Sequence, residues 1–426
     1  MTQIMLDRRQ LFAASALAGA GLSFPAWAKS ADKSQTAANL AKIQAVLDQW
    51  TSKKLVPGAS ASLAKGTAQA NFLTAGTAAF DYSTPITADS LYRVYSMTKP
   101  VTGMAAMLLI EDGKLGMDQN IADFIPAFAN PLVLTDPEKS LAARPAAGPI
   151  RVRNLLTHTA GLGYNIVTKG PLLDAYNKLG IGGGQVSRHA LPGLPRFASA
   201  PTLEEFANRL GTLPLIADPG ARWSYSVGLD LLGRVIEIAS GMSFDAFLKK
   251  RIFDPLGMTS TFFQVPTEAA ARMTTNHAFF GGATIPIDKW NDSIYLDKPP
   301  FAFGGSGLVS SMRDWDRFAL MLMGEGAIGK TRIMKAETAR WGMSNLVHPD
   351  TKMESFVKGQ GFGAGGRVTL SPQYGEGIGT YGWGGAASTI FAVDRTRQIR
   401  SSGWVQLMTQ GTPQNFVEDI SKSVYG

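Results

Sequence analysis

The strand-like segments of this 426-residue chain lie near its two ends, and the middle reads as helix. A helical repeat over 37–53 (Ala38, Leu40, Ile43, Val46, Leu47, Trp50) stops at Val56-Pro57-Gly58. Two short alternating segments follow, 59–64 and 70–75, joined by Lys65-Gly66-Thr67 as a hairpin. Ser96 to Asp112 reads as a helix ended by Gly113, and helical pieces at 202–213, 229–240 and 244–253 are separated by Pro/Gly loops. After a helix over 312–323, strand patterns return at 361–370, 388–394 and 400–407, and a helix over 413–424 follows them. Strands need partners, so the distant segments must meet in one sheet with a helical insertion between them. The expected fold is α/β, of the α+β type: residues 29–115 and 301–426 form a lobe around this sheet, and 116–300 form a mainly helical lobe. The stretch 163–201, with Gly182-Gly183-Gly184 and several prolines, is expected to be a long loop or lid.

Composition narrows the chemistry. With no Cys, the chain has no disulfide framework, thiol nucleophile or thiolate metal site. The four His, at 158, 189, 277 and 348, show no metal-binding spacing, so neither a metal nor another cofactor is expected. The net charge of +8 is diffuse, its longest basic run being Lys249-Lys250-Arg251, so no nucleic-acid partner is expected. At 45% hydrophobic and 17% charged, the chain reads as globular.

Residues 1–28 have the layout of an export signal: Asp7-Arg8-Arg9-Gln10-Leu11-Phe12 resembles a twin-arginine box, a modestly apolar stretch follows, and Ala26-Trp27-Ala28 is a small-x-small cleavage site. Its removal leaves about +7, and no later run is apolar enough to span a membrane. The expected location is periplasmic or secreted.

A serine hydroxyl becomes a nucleophile when a neighbouring base takes its proton, and an uncharged lysine one helical turn away can be that base. Four Ser-x-x-Lys pairs occur: Ser30/Lys33, Ser62/Lys65, Ser96/Lys99 and Ser355/Lys358. The first lies in a polar segment, the second in an alternating strand where i and i+3 face opposite ways, and the fourth runs into a Gly-rich stretch. Only Ser96-Met97-Thr98-Lys99 opens a helix, with Pro100 in its first turn and Val101, Met104, Ala105, Leu108 and Leu109 anchoring it in the core. On this pattern alone two readings stand: a nucleophile with its base, or a plain helix cap beside a solvated lysine.

Further segments carry a family resemblance: Leu155-Leu156-Thr157-His158-Thr159-Ala160-Gly161-Leu162, Pro219-Gly220-Ala221-Arg222-Trp223-Ser224-Tyr225-Ser226, Asp254-Pro255-Leu256-Gly257-Met258, Gly304-Gly305-Ser306-Gly307-Leu308 and Tyr381-Gly382-Trp383-Gly384-Gly385. Over about 91–410 the chain resembles the class C beta-lactamase-related serine hydrolases, and within them the family VIII carboxylesterases, which implies a beta-lactamase/DD-peptidase-like fold, an antiparallel sheet flanked by helices plus a helical lobe. The resemblance implies Ser96 as nucleophile, Lys99 as general base and Tyr225 in proton transfer. It also implies backbone N–H groups of Ser96 and Ala386 as the oxyanion hole, and Val227, Trp383, Gly384 and Gly385 against the substrate. The implied reaction is hydrolysis of a small-molecule carboxylic ester through an acyl-enzyme.

Two departures bear on the substrate. The family's Tyr-Ser-Asn is here Tyr225-Ser226-Val227, and the Lys of Lys-Thr-Gly is Trp383, which removes an amide and a cation suited to lactams and peptide carboxylates. Neutral or apolar esters are therefore expected, with Trp383 as a flat wall or a core aromatic. A beta-lactamase or D-Ala-type peptidase, an acyltransferase and a non-catalytic binding protein stay open. His158 reads as a core histidine and Ser306 as a loop residue beside the site, since Leu308 breaks Gly-x-Ser-x-Gly. The oligomeric state stays open.

Overall fold

The computed structural model describes residues 26–190, 199–280, 282–354, 357–408 and 415–426. Residues 1–25, which hold most of the expected export signal, lie outside them. A helix (Ala26–Ser52) leads into the first strand.

The two ends of the chain do meet in one antiparallel sheet. Its order is Gln360–Phe362, Arg367–Thr369, Tyr381–Gly385, Thr389–Asp394, Ile399–Trp404, Gly58–Lys65, Asn71–Ala79 and Tyr82–Pro85. The seam between early and late strands pairs Ser60 with Trp404 and Ser62 with Ser402, whose hydroxyls lie 2.7 Å apart. Gly58–Lys65 is thus a central strand, buried along both faces until Lys65. Its Ala and Ser side chains are small enough for helices to pack on either side.

On one face lie the first helix and the C-terminal helix (Phe416–Tyr425), where Ile43, Leu47, Trp50, Leu63, Ile420 and Val424 form one core. Asn39 and Trp50 fasten the two helices together by donating to the Val424 carbonyl and the Asp419 carboxylate, each at 2.9 Å. On the other face, the helix Met312–Met323 sets Trp315 against Phe391 and Trp404, with ring centroids 5.5 and 6.0 Å apart. The main core continues from there into the middle of the chain around the helices Thr98–Glu111 and Gly228–Ser240.

Local departures from the sequence reading have local causes. The stretch 163–201 is not loop throughout: Gly170–Leu179 is a helix closed by Gly180 in the left-handed region (φ 71°). Leu172 and Tyr176 bury its inner face. Residues 361–370 make two strands rather than one, because Gly365 (φ 75°) turns the chain back between them. Residues 400–407 break after Trp404, and Leu407–Met408 leaves the large sheet to pair in parallel with Asn276–Phe280. That last strand and Ala283–Asp288 form a hairpin inside the stretch expected to be mainly helical. Among the described residues, no helix is long and apolar enough to cross a membrane and no side-chain cluster has the makings of a metal site.

Candidate active site

The site is built from its supports inward. The short strand Leu91–Arg93 carries the fully buried Arg93, whose Nε donates to Asp288 at 2.6 Å and whose Nη1 donates to the Thr274 carbonyl. Gln406 receives the Arg93 backbone N–H at 3.0 Å and returns a bond to its carbonyl at 3.0 Å. Two residues on, Tyr95 sits at φ 42°, a left-handed conformation that costs a side-chain-bearing residue of order 1 kcal/mol. Asn276 holds it by donating to the Tyr95 hydroxyl at 2.8 Å. This kink presents Ser96 in a 3-10 turn (Tyr95–Met97) that runs directly into the helix Thr98–Glu111.

Lys99 and Tyr225 converge on Ser96. Lys99 Nζ donates to Ser96 Oγ at 3.1 Å and to the Gly305 carbonyl at 2.7 Å, and the Tyr225 hydroxyl donates to Ser96 Oγ at 2.6 Å. Lys99 is wholly buried, its nitrogen 4.6 Å from the Tyr225 ring centroid and 5.5 Å from that of Tyr164. Of the two readings of the Ser96 and Lys99 pair, the solvated lysine is thereby excluded. A hydroxyl held by an amine and a phenol inside a water-poor site is suited to nucleophilic attack.

Aromatic neighbours fix the direction of the Tyr225 phenol. Trp223 stacks beside it (6.1 Å, 17°), while Tyr164, His158 and Trp383 meet it at 5.2, 4.8 and 5.9 Å. His158 is fully buried with φ 57°; its Nδ1 lies 2.9 Å from Ser226 Oγ and accepts the Ser226 N–H at 3.2 Å. Burial, with the Lys99 charge second, pushes its imidazole well below the usual histidine range, so it stays neutral as a wall of the cage. Burial likewise drives the Tyr164 phenol far up, so Tyr164 stays protonated and donates to the Gly183 carbonyl at 3.2 Å. Ser306 donates to the same carbonyl at 2.7 Å, which makes it a loop residue beside the site.

The strand Tyr381–Gly385 forms the opposite wall. At Gly385 an added Cβ would lie 2.3 Å from the Val94 carbonyl, so only glycine lets this strand pass so close to the turn bearing Ser96. The approach brings the exposed Ala386, next in the chain, beside that turn, and leaves Trp383 and Gly384 partly exposed. Val227 departs from expectation. It is wholly buried in the main core, and its N–H is taken by the Gly163 carbonyl, because the helix Gly228–Ser240 starts there and turns the side chain inward. It offers nothing to a ligand.

Two participants escaped the sequence reading. Gly305 acts only through its backbone, which no side-chain pattern reveals. Asp230 left a clue, being a carboxylate in the otherwise apolar run Leu229-Asp230-Leu231-Leu232. It is 1% exposed, accepts the Gly305 N–H at 2.8 Å through Oδ1, and leaves Oδ2 buried without a hydrogen bond. Burial raises its pKa from 3.8 to about 6, against the opposing pull of the Lys99 charge and the Gly305 N–H. The folded state therefore binds this proton more tightly than the unfolded chain. The contribution of Asp230 to stability falls as pH rises from about 4 to about 6 and is fully unfavourable above that, by roughly 3 kcal/mol. Asp230→Asn keeps the acceptor and is expected to raise neutral-pH stability by up to that amount and to flatten the pH 4–6 slope. Urea midpoints across that range, equal in slope for wild type and variant, would refute the assignment.

Comparison with known proteins agrees with this fold. The family model described as Beta-lactamase matches residues 40–420. The chain is 30% identical over 331 residues to Protein Rv1367c of Mycobacterium tuberculosis, covering 75% of this chain and 78% of the relative. It is 27% identical over 373 residues to Esterase EstB of Burkholderia gladioli, covering 83% and 87%. Among solved structures, EstCE1, a hydrolase with promiscuous acyltransferase activity, superposes with a TM-score of 0.75 at 24% identity, covering 93% of this chain and 100% of that one.

Proposed function

Because this chain belongs to the beta-lactamase family, whose fold it has, we propose that it is a serine hydrolase that cleaves neutral carboxylic esters through an acyl-enzyme on Ser96. The observation that carries this reading is the convergence of Lys99 and Tyr225 on Ser96 Oγ at 3.1 and 2.6 Å. Lys99 is the general base: in its uncharged form it takes the Ser96 proton as Oγ bonds to the ester carbon. The carbonyl oxygen, now an anion, is met by the backbone N–H groups of Ser96 and Ala386. The carbon–alkoxide bond breaks, Tyr225 relays a proton to the leaving oxygen, and water then releases the acid by the same steps in reverse.

Trp383 supports the choice of substrate, since it supplies an apolar face where a cation would have favoured a carboxylate-bearing lactam or peptide. The similarity to Esterase EstB points the same way. An alcohol that enters in place of water meets the same groups, so acyl transfer is the second reading, favoured by the likeness to EstCE1 and its promiscuous acyltransferase activity. In this reading residues 29–115 with 301–426 and residues 116–300 are two lobes of one catalytic unit. The twin-arginine-like start supports export to the periplasm or beyond.

The test compares a short p-nitrophenyl ester with a chromogenic cephalosporin on the same enzyme. The expected kcat/KM for the ester exceeds that for the cephalosporin by at least ~100-fold. Efficient cephalosporin turnover with negligible ester cleavage would overturn the assignment. Adding a primary alcohol and following the new ester separates transfer from hydrolysis.

A further inference from the structure

A second group of polar side chains lines a cavity beneath the C-terminal helix, away from Ser96. Arg367 is paired with Gly382 across the sheet, so its side chain leaves on the face opposite that of Trp383. Continuing across that face, Gly382 pairs with Ala392 and Ala392 with Ser401. These small residues leave a hollow beside Arg367, also bordered by Glu376, Ile420 and Tyr425, with a volume of about 30 Å³. That is room for about two water-sized groups.

The donors facing this hollow are unused. Among the described residues, the Arg367 guanidinium makes no hydrogen bond or ion pair. The Tyr425 hydroxyl is buried without a hydrogen-bond partner. Burial depresses the Arg367 pKa and raises that of Tyr425, so each pays for desolvation and Tyr425 keeps its proton to donate. Glu376, the lining acid, instead accepts the backbone N–H groups of Gln373 and Tyr374 at 3.0 and 2.7 Å. The Tyr425 hydroxyl, buried and unbonded, calls for a partner, and Arg367 lies beside it in the lining. A guanidinium fork matches the two oxygens of a carboxylate. Glu376, whose charge already acts on Arg367, would repel a doubly charged phosphate or sulfate more strongly than a singly charged group.

We infer that this cavity is a binding site for a small monocarboxylate of acetate size, held by Arg367 and Tyr425 and separate from the catalytic site. The probe is acetate itself. In thermal unfolding of the full chain at neutral pH, replacing chloride by acetate at about 100 mM and equal ionic strength is expected to raise Tm on the order of 2 °C. Arg367→Met is expected to abolish this rise while ester hydrolysis stays within about twofold, because residue 367 lies on the far face of the sheet from Ser96. No rise in wild type, or an equal rise in Arg367→Met, overturns the inference. Should Arg367→Met not fold, Tyr425→Phe takes its place, with at least a halved rise expected and an unchanged one contrary to the inference. A crystal soaked in acetate is expected to show a planar anion on Arg367; water alone there would overturn the site.

Discussion

Ser96→Ala lowers ester hydrolysis by on the order of 10⁴-fold or more and leaves the unfolding midpoint nearly unchanged, because it removes one oxygen from a turn held by other bonds. Those bonds belong to Arg93, to Tyr95 with its partner Asn276, and to the Val94 N–H on the Leu308 carbonyl. Intact-mass analysis after a fluorophosphonate gives the companion result: one adduct on the wild type and none on Ser96→Ala. An equal adduct on the variant would place the nucleophile elsewhere. Lys99→Met is expected to cost nearly as much, since no other amine reaches Ser96 Oγ among the described residues. Tyr225→Phe is expected to cost less, about 10²–10³-fold, because the aromatic cage keeps the ring in place and only the proton relay is lost. Retention of most ester activity in Lys99→Met would remove the base from the mechanism.

The second large effect is on stability. Arg93→Met strands the Asp288 carboxylate, wholly buried, without its cation, and the expected loss is about 3–5 kcal/mol in urea unfolding. Ser293 Oγ at 2.6 Å and the Ile294 N–H at 3.0 Å still reach that carboxylate, but neither carries charge. Pairing the change with Asp288→Leu is expected to recover part of the loss, because a matched apolar pair no longer buries a lone charge. A loss under about 1 kcal/mol for the single variant would show that this ion pair does not hold the strand leading to Ser96.

What could be read in the sequence was what is local or repeated in pattern. Ser96 and Lys99 stand one helical turn apart, so their meeting follows from the helix that holds them. The sheet was legible because alternating segments at both ends had no other partners. The hairpin of Asn276–Phe280 and Ala283–Asp288 was not, since its Phe-rich run lacks alternation and its main anchor is Arg93, far away in the chain. The helix Gly170–Leu179 was hidden by the Gly and Pro residues around it, although Gly180 is the residue that ends it. Val227 was misjudged because its place in the chain, two residues after Tyr225, says nothing of how the following helix turns it into the core. The grip of Gly305 on Lys99 joins residues 206 apart through a carbonyl common to every peptide, so only the folded chain displays it.

The seam between Gly58–Lys65 and Ile399–Trp404 also sets a timetable. During synthesis the early strand leaves the ribosome hundreds of residues before its partner exists, with its hydrogen-bonding edge uncovered. Ser96 and Lys99 are made early, yet the wall that carries Trp383 and Gly385 and the Gln406 that braces Arg93 come late. A nascent chain therefore lacks a complete site until residue 406 has emerged, and pairing at so long a range in sequence favours slow folding. Until then the feature left open is the edge of one strand, not a working active site.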